Sequence, residues 1–168
     1  MPPSQPGIHS TIPPRPTGGN IDCRELVVGS TLLLPVAVNG GLLSFGNGHA
    51  AQGDGEVGGT AIECAMDSVE LRIGLIKGAN LKGPEAYTPV GFTTFGLSED
   101  LTEAMLLALE AMISRPQSDL DLDRAQAAAL ASIAVDLRVT QVVNESMGVH
   151  ALLPTARLRR HGHAVAPR

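Results

Sequence analysis

Residues 87–103 read Tyr87-Thr88-Pro89-Val90-Gly91-Phe92-Thr93-Thr94-Phe95-Gly96-Leu97-Ser98-Glu99-Asp100-Leu101-Thr102-Glu103, and the character of the chain changes within them. Tyr87 to Leu97 is strand material, rich in aromatic and β-branched residues. Asp100 followed by Glu103 then resembles a capping box, the signature of a helix start. Behind it Leu101 to Ser114 is rich in Ala, Leu and Met, and Pro116 is expected to stop that helix. A second helix is expected from about Leu120 to Ala134, its alanine-rich run Ala125 to Ala131 packing closely on a neighbour.

Downstream, Leu137 to Val143 alternates as a strand does, and Val149 to Leu153 is a short apolar segment ended by Pro154. Upstream, Leu32 to Val38 and Gly41 to Phe45 read as strands joined through Asn39-Gly40, a hairpin-turn dipeptide. Thr60 to Ala65 and Val69 to Ile76 read as two more, turning at Met66-Asp67-Ser68. Strands first, then helices, then short strands give α+β rather than a repeating βαβ pattern. The expected architecture is an antiparallel, β-rich sandwich or barrel-like body followed by two helices and short C-terminal strands. The chain divides accordingly. Residues 1–19 form a Pro-rich arm or connector, 20–97 the β-rich catalytic portion, 98–154 an α+β portion, and 155–168 a disordered basic tail.

Composition narrows the function classes. A chain of 168 residues with 43% apolar content can bury a real core. Aromatics at 2% and a formal charge of −5 argue against nucleic acid and anionic lipid as partners. Cys23 and Cys64 are too few for a disulfide framework or a zinc knuckle, and both read as reduced, buried cysteines. The longest early apolar run, Thr31 to Val38, is interrupted by Pro35 and is far too short to span a membrane. The expected setting is cytoplasmic.

Chemistry concentrates in residues 46–63, where Gly46, Gly48, Gly53, Gly55, Gly58 and Gly59 are interleaved with His49, Gln52, Asp54, Glu56 and Glu63. Glycine this dense is costly unless the backbone must bend sharply near a bound group. His49 is the best general acid/base or metal ligand of the chain. Asp54 and Glu56, one residue apart, would face the same side if extended, and could then divide acid and base roles or share a cation. Glu63 sits in an otherwise apolar strand, where an isolated carboxylate needs a partner. Asp22, just after Gly18-Gly19-Asn20-Ile21, could add an oxygen ligand. The competing readings are a solvated acidic turn for Asp54 and Glu56 and a structural histidine for His49. His161 and His163 read as solvent-exposed, and the GxG spacings open no helix as a dinucleotide site requires.

Several of these blocks together resemble the acetamidase/formamidase family. They are Gly18-Gly19-Asn20-Ile21-Asp22, Gly29-Ser30-Thr31-Leu32 with Leu34-Pro35-Val36, His49 through Val57, and Gly59-Thr60-Ala61-Ile62-Glu63. Asp136 through Asn144 and Gly148-Val149-His150-Ala151 are similar to its C-terminal portion. The resemblance implies hydrolysis of short aliphatic amides, formamide or acetamide, to carboxylate and ammonia, and it implies oligomers. On that reading His49, Asp54, Glu56 and Glu63 are catalytic, and Gln52, Gly53 and Gly55 bind substrate. Asp22, His49 and Glu56 would hold a divalent metal ion, zinc or calcium. The expected partners are a small-molecule amide and either further copies of the chain or a separate N-terminal half. Two departures stand out: the chain begins where the family's N-terminal half ends, and Asn47 stands where similar members have an aspartate. The rival readings are a truncated, non-catalytic subunit or oligomerisation module, and a carboxylate-rich metal-binding protein.

Overall fold

A computed structural model describes residues 1–46 and 48–158. Its elements are β1 (Thr31–Leu33), β2 (His49–Ala51), β3 (Ile62–Glu63), β4 (Glu85–Thr88), β5 (Gly91–Ser98), α1 (Leu101–Leu120), α2 (Arg124–Ala134), β6 (Asp136–Gln141), β7 (Met147–Pro154) and α3 (Thr155–Leu158). One antiparallel sheet has the order β1-β4-β5-β7-β6, and β2 and β3 form a separate two-stranded ribbon. The α+β class stands. The sheet remains open, with no closed barrel among the described residues.

The strand material around Tyr87 becomes a hairpin, β4 and β5, turning at Pro89-Val90. β5 then pairs along its whole length with β7, from Gly91 opposite Pro154 to Ser98 opposite Met147. That ladder ties the stretches on either side of residue 98 into one sheet. Period-2 alternation sends Phe92, Thr94 and Gly96 toward α1, while Phe95 packs on the opposite side with Ile21, Cys23 and Ala86. On the helical side Ala104, Ala108 and Met112, four residues apart, form a fully buried stripe against Phe92, Val149, Ala151 and Leu153. Small residues bring the backbones close: a Cβ on Gly96 would stand 1.9 Å from the Ala104 carbonyl oxygen. Thr94 Oγ1 donates to the Ala108 carbonyl at 2.8 Å across the same contact.

The start of α1 is half a capping box. Asp100 accepts from the Glu103 N–H at 2.8 Å, but the Glu103 carboxylate takes the Ser98 hydroxyl, whose oxygen in turn accepts the Asp100 N–H. α2 has the full box, between Asp123 and Gln126.

Pro116 does not stop α1, which continues to Leu120. The reason is tertiary. Arg115 reaches Tyr87 Oη at 3.1 Å, Glu85 at 3.5 Å and Asp119 at 3.2 Å, so the turn around the proline is anchored to β4. α2 begins at Arg124 rather than Leu120, because Asp121 takes a left-handed φ of 54° and closes α1.

Four other expectations are corrected. The hairpin over Leu32–Val38 and Gly41–Phe45 reduces to β1, which pairs with β4; positive φ at Gly40, Gly41 and Leu42 turns the chain away after Asn39. Val69 to Ile76 alternates as expected yet forms no strand and is exposed throughout; among the described residues no strand pairs with it to take its backbone groups. Thr60 to Ala65 contracts to β3, which leaves Cys64 exposed rather than buried. Thr155–Leu158, expected as part of a disordered tail, is α3, with Arg157 reaching Asp136 and the Ala134 carbonyl at 2.8 Å. Asn47, His161 and His163 lie outside the described residues. No helix among the described residues is long and apolar enough to cross a membrane.

Candidate functional site

The glycine-rich loop is organised by two fixtures. The β2–β3 ribbon sets His49 directly opposite Glu63. Farther on, Gly55 is stitched to the end of β6: its N–H donates to the Thr140 carbonyl, and its carbonyl accepts from the Val142 N–H, both at 3.1 Å. Gly55 has φ 86°, a conformation that favours glycine, and the next residue, Glu56, is held at φ 41°. The bend turns the Glu56 side chain into the protein, where it is buried.

Asp22, His49 and Glu56 come together there, each offering a ligand atom within 4.8 Å of the others. His49 Nδ1 lies 2.8 Å from Gln52 Oε1, and the Gln52 amide nitrogen donates to the Asp22 carbonyl. With that amide orientation Nδ1 carries the proton, and a neutral ring keeps Nε2 as an acceptor or ligand. Asp22 also has a left-handed φ, 49°, so two of the three cluster residues are non-glycine residues in that region. Such backbone strain persists only where the surroundings hold it. Burial pushes the Glu56 pKa up; the Asp22 carboxylate adds to this by charge and hydrogen bond, Glu63 adds its charge, and His49 opposes. Glu56 Oε2 is buried with no hydrogen-bond partner. A carboxyl held in this way exchanges a proton nearer neutral pH than an exposed one.

The other expected residues are placed differently. Asp54 is exposed and pairs with Arg24 at 3.9 Å, outside the cluster. Left-handed backbone at Gly55 and Glu56 removes the extended geometry that would have put both carboxylates on one side. Glu63 is exposed beside His49, not enclosed in an apolar strand. Gly53 lies in the exposed turn, where its carbonyl accepts from the Glu56 N–H at 3.2 Å. Both backbone polar groups of Gly55 are spent on β6, so it holds the loop rather than presenting a donor. A hollow of about 250 Å³ lined by residues of α1, β6 and β7, among them Leu101, Met105, Arg138 and Val149, has neither an acid nor an imidazole in its wall.

A family model for the acetamidase/formamidase family matches residues 5–158. The chain belongs to that family. It is 47% identical over 68 residues to a formamidase of Methylophilus methylotrophus, an alignment covering 40% of this chain and 16% of that protein. It is 42% identical over 84 residues to an acetamidase of Mycolicibacterium smegmatis, covering 50% of this chain and 19% of that one. The solved acetamidase of Yersinia enterocolitica superposes with TM-score 0.78 at 29% identity, over 88% of this chain and 44% of that one. The chain thus spans less than half the length of these relatives.

Within this member of the acetamidase/formamidase family, sequence reasoning missed the support for Asp22. The Asn144 side-chain amide donates to Asp22 Oδ2 from the turn after β6. Gln141 shapes that turn: its fully buried side chain accepts the N–H groups of Val143 at 2.9 Å and Asn144 at 3.0 Å and donates to the Ser146 carbonyl. A lone glutamine inside the alternating run 137–143 was the available signal; Asn144, in a polar turn, gave none.

Proposed function

We propose that this chain supplies the acid–base cluster of an amide hydrolase acting on short aliphatic amides such as formamide and acetamide. The observation that carries the reading is the convergence of His49, Asp22 and a buried Glu56 whose pKa is raised. Glu56 takes a proton from water as its oxygen attacks the carbonyl carbon. His49 Nε2 accepts a hydrogen bond from that water and positions it. The protonated Glu56 passes its proton to the amide nitrogen, the C–N bond breaks, and ammonia leaves with a carboxylic acid that gives its own proton to solvent. Gln52 and Asn144 act by orientation, the first on His49 and the second on Asp22. A divalent cation fits this donor set, since one imidazole and two carboxylates converge and one buried Glu56 oxygen is unpartnered. When bound, it would supply Lewis acidity toward the carbonyl and water. The free cysteines Cys23 and Cys64 support a cytoplasmic setting.

A second reading rests on a different observation. Val69, Leu71, Ile73, Leu75 and Ile76 are all exposed, an apolar series alternating with Glu70, Arg72 and Gly74 that a partner surface would cover. On this reading the chain is a non-catalytic subunit or oligomerisation module, pairing with further copies or with a separate N-terminal half. Ammonia release from formamide and acetamide separates the two. Turnover by the wild-type chain that is lost in Glu56→Gln and in His49→Ala supports the hydrolase. No turnover by the wild type, in oligomeric form and with zinc or calcium supplied, rejects it in favour of the subunit.

A further inference from the structure

A second constellation lies behind the sheet, between β7 and the segment that follows Asp22. Cys23 Sγ and His150 Nε2 each stand 3.3 Å from Glu25 Oε2, and the three ligand atoms lie within 4.8 Å of one another. All three residues are buried, His150 completely. His150 Nδ1 is engaged by Thr140 Oγ1 at 2.8 Å, which fixes the ring and aims Nε2 inward. Nε2 faces Glu25 Oε2 at ion-pair distance, but the contact does not meet hydrogen-bond geometry, so the buried nitrogen lacks an aligned donor–acceptor partner. Glu25 is likewise held from behind, its Oε1 accepting from Arg138 Nη1 at 2.8 Å.

We propose that Cys23, Glu25 and His150 form a binding site for a zinc-like divalent transition-metal ion, separate from the Asp22–His49–Glu56 cluster. A sulfur, an imidazole nitrogen and a carboxylate oxygen are the donors that zinc and its neighbours in the first transition row select. Tetrahedral arms of roughly 2.0–2.3 Å give edges between ligand atoms of about 3.3–3.6 Å. The two 3.3 Å separations already match such edges within tenths of an ångström. Thr140 and Arg138 occupy the places that outer-shell partners take around metal ligands, orienting the imidazole and the carboxylate. The ordinary alternative, a buried histidine–glutamate pair with a thiol donor, leaves His150 Nε2 in a charge contact that is poorly aligned as a hydrogen bond. On binding, the Cys23 thiol gives its proton to solvent and the thiolate sulfur takes the metal, while a water completes the fourth position. Burial pushes the thiol pKa up in the metal-free chain, so binding strengthens with pH.

The test uses the 168-residue chain with Cys64→Ser, which leaves Cys23 as its one thiol, and cobalt(II) as the probe. The expected result is stoichiometric cobalt with a thiolate-to-cobalt charge-transfer absorption, displaced by zinc. Adding His49→Ala should leave that band in place, and adding Cys23→Ser should abolish it. Absence of the band in Cys64→Ser with cobalt supplied overturns the site, as does its persistence after Cys23→Ser. Should Cys23→Ser fail to fold, zinc-edge X-ray absorption of zinc-loaded Cys64→Ser decides instead. A sulfur scatterer at about 2.3 Å supports the site, and a shell of nitrogen and oxygen alone rejects it.

Discussion

Residues 85–154 and residues 35–80 are both rich in apolar side chains, but only the first stretch buries them. Met112 and Leu152 are 0% and 2% exposed, whereas Ile73 and Leu75 are 73% and 70% exposed. Both stretches contain period-2 alternation. β5 has β4 on one side and β7 on the other, with α1 across its face; Val69 to Ile76 has no sheet neighbour among the described residues. Alternation thus marks a segment able to be a strand, and the ladder partner makes it one. The glycine-rich loop lies in the loosely packed stretch but borrows rigidity from the other through Gly55 and β6.

The most damaging way to break this contrast is at glycine. Gly96→Val should leave no cooperatively folded chain, at a cost of about 3 kcal/mol or more, because its Cβ meets the Ala104 and Ala108 backbone of α1 at 1.9 and 2.5 Å. Gly74→Val meets nothing within 4 Å and should change stability by no more than about 0.5 kcal/mol. Urea unfolding followed by circular dichroism measures both, and equal effects would dissolve the distinction.

The contrast recurs among large apolar residues. Met112→Ala should cost about 3 kcal/mol, the loss of a buried side chain plus the cavity it leaves. Ile73→Asp should cost little and should reduce self-association, since it places a charge in the exposed apolar segment. Light scattering across a concentration series reads the second effect; association unchanged by Ile73→Asp would mean that this segment is not the sticky one.

What the sequence made legible follows the same division. The helix start at Asp100, the strand material from Tyr87 to Leu97 and the apolar segment from Val149 to Leu153 are local signals, and each lies in a regular element. Pro116 misled because its turn is held by Arg115 contacts to β4, residues far away in sequence. Val69 to Ile76 misled because partners are not written into a segment. At the site, the dense motif pointed to His49 and Glu56, and the Gly-Gly-Asn-Ile-Asp block to Asp22, which stand together. Asp54 was expected beside Glu56 only if the segment were extended, and Gly55 and Glu56 are left-handed. The contribution of Asn144 and of the Cys23–Glu25–His150 group depends on contacts between residues more than a hundred positions apart, which no spacing reveals.

Glu25 ties the less regular stretch to the sheet, and its effect should depend on pH. Burial works to raise its pKa, but His150, then Cys23 and Arg138, outweigh that and hold it at about 2, against an ordinary 4.5. A depressed carboxylate pKa stabilises the fold above the unfolded value and loses that contribution as pH falls through the folded one. In chelator-treated protein Glu25→Gln should therefore cost about 2 kcal/mol near neutral pH, and the difference from wild type should shrink between pH 4.5 and about 2. Denaturant midpoints across that range measure it. A gap that widens toward acid would mean that Glu25 is not the ionised partner described.

The smallest effect is expected where the loop faces solvent. Asp54 lies in the densest part of the motif, yet its contact is an exposed pair with Arg24 at 3.9 Å. Exposed pairs contribute about 0–1 kcal/mol, so Asp54→Asn should leave stability nearly unchanged. Its carboxylate is outside the Asp22–His49–Glu56 cluster, so the same substitution should lower ammonia release by less than about threefold, a barrier change under about 0.7 kcal/mol. Glu56→Gln, two positions along, removes a proton-exchanging group from the cluster and should lower it by at least about a hundredfold. The pair of variants, assayed together, asks whether burial or proximity in sequence identifies the chemistry of this loop. Comparable losses in both would place Asp54 back beside Glu56 and overturn the separation that the left-handed turn produces.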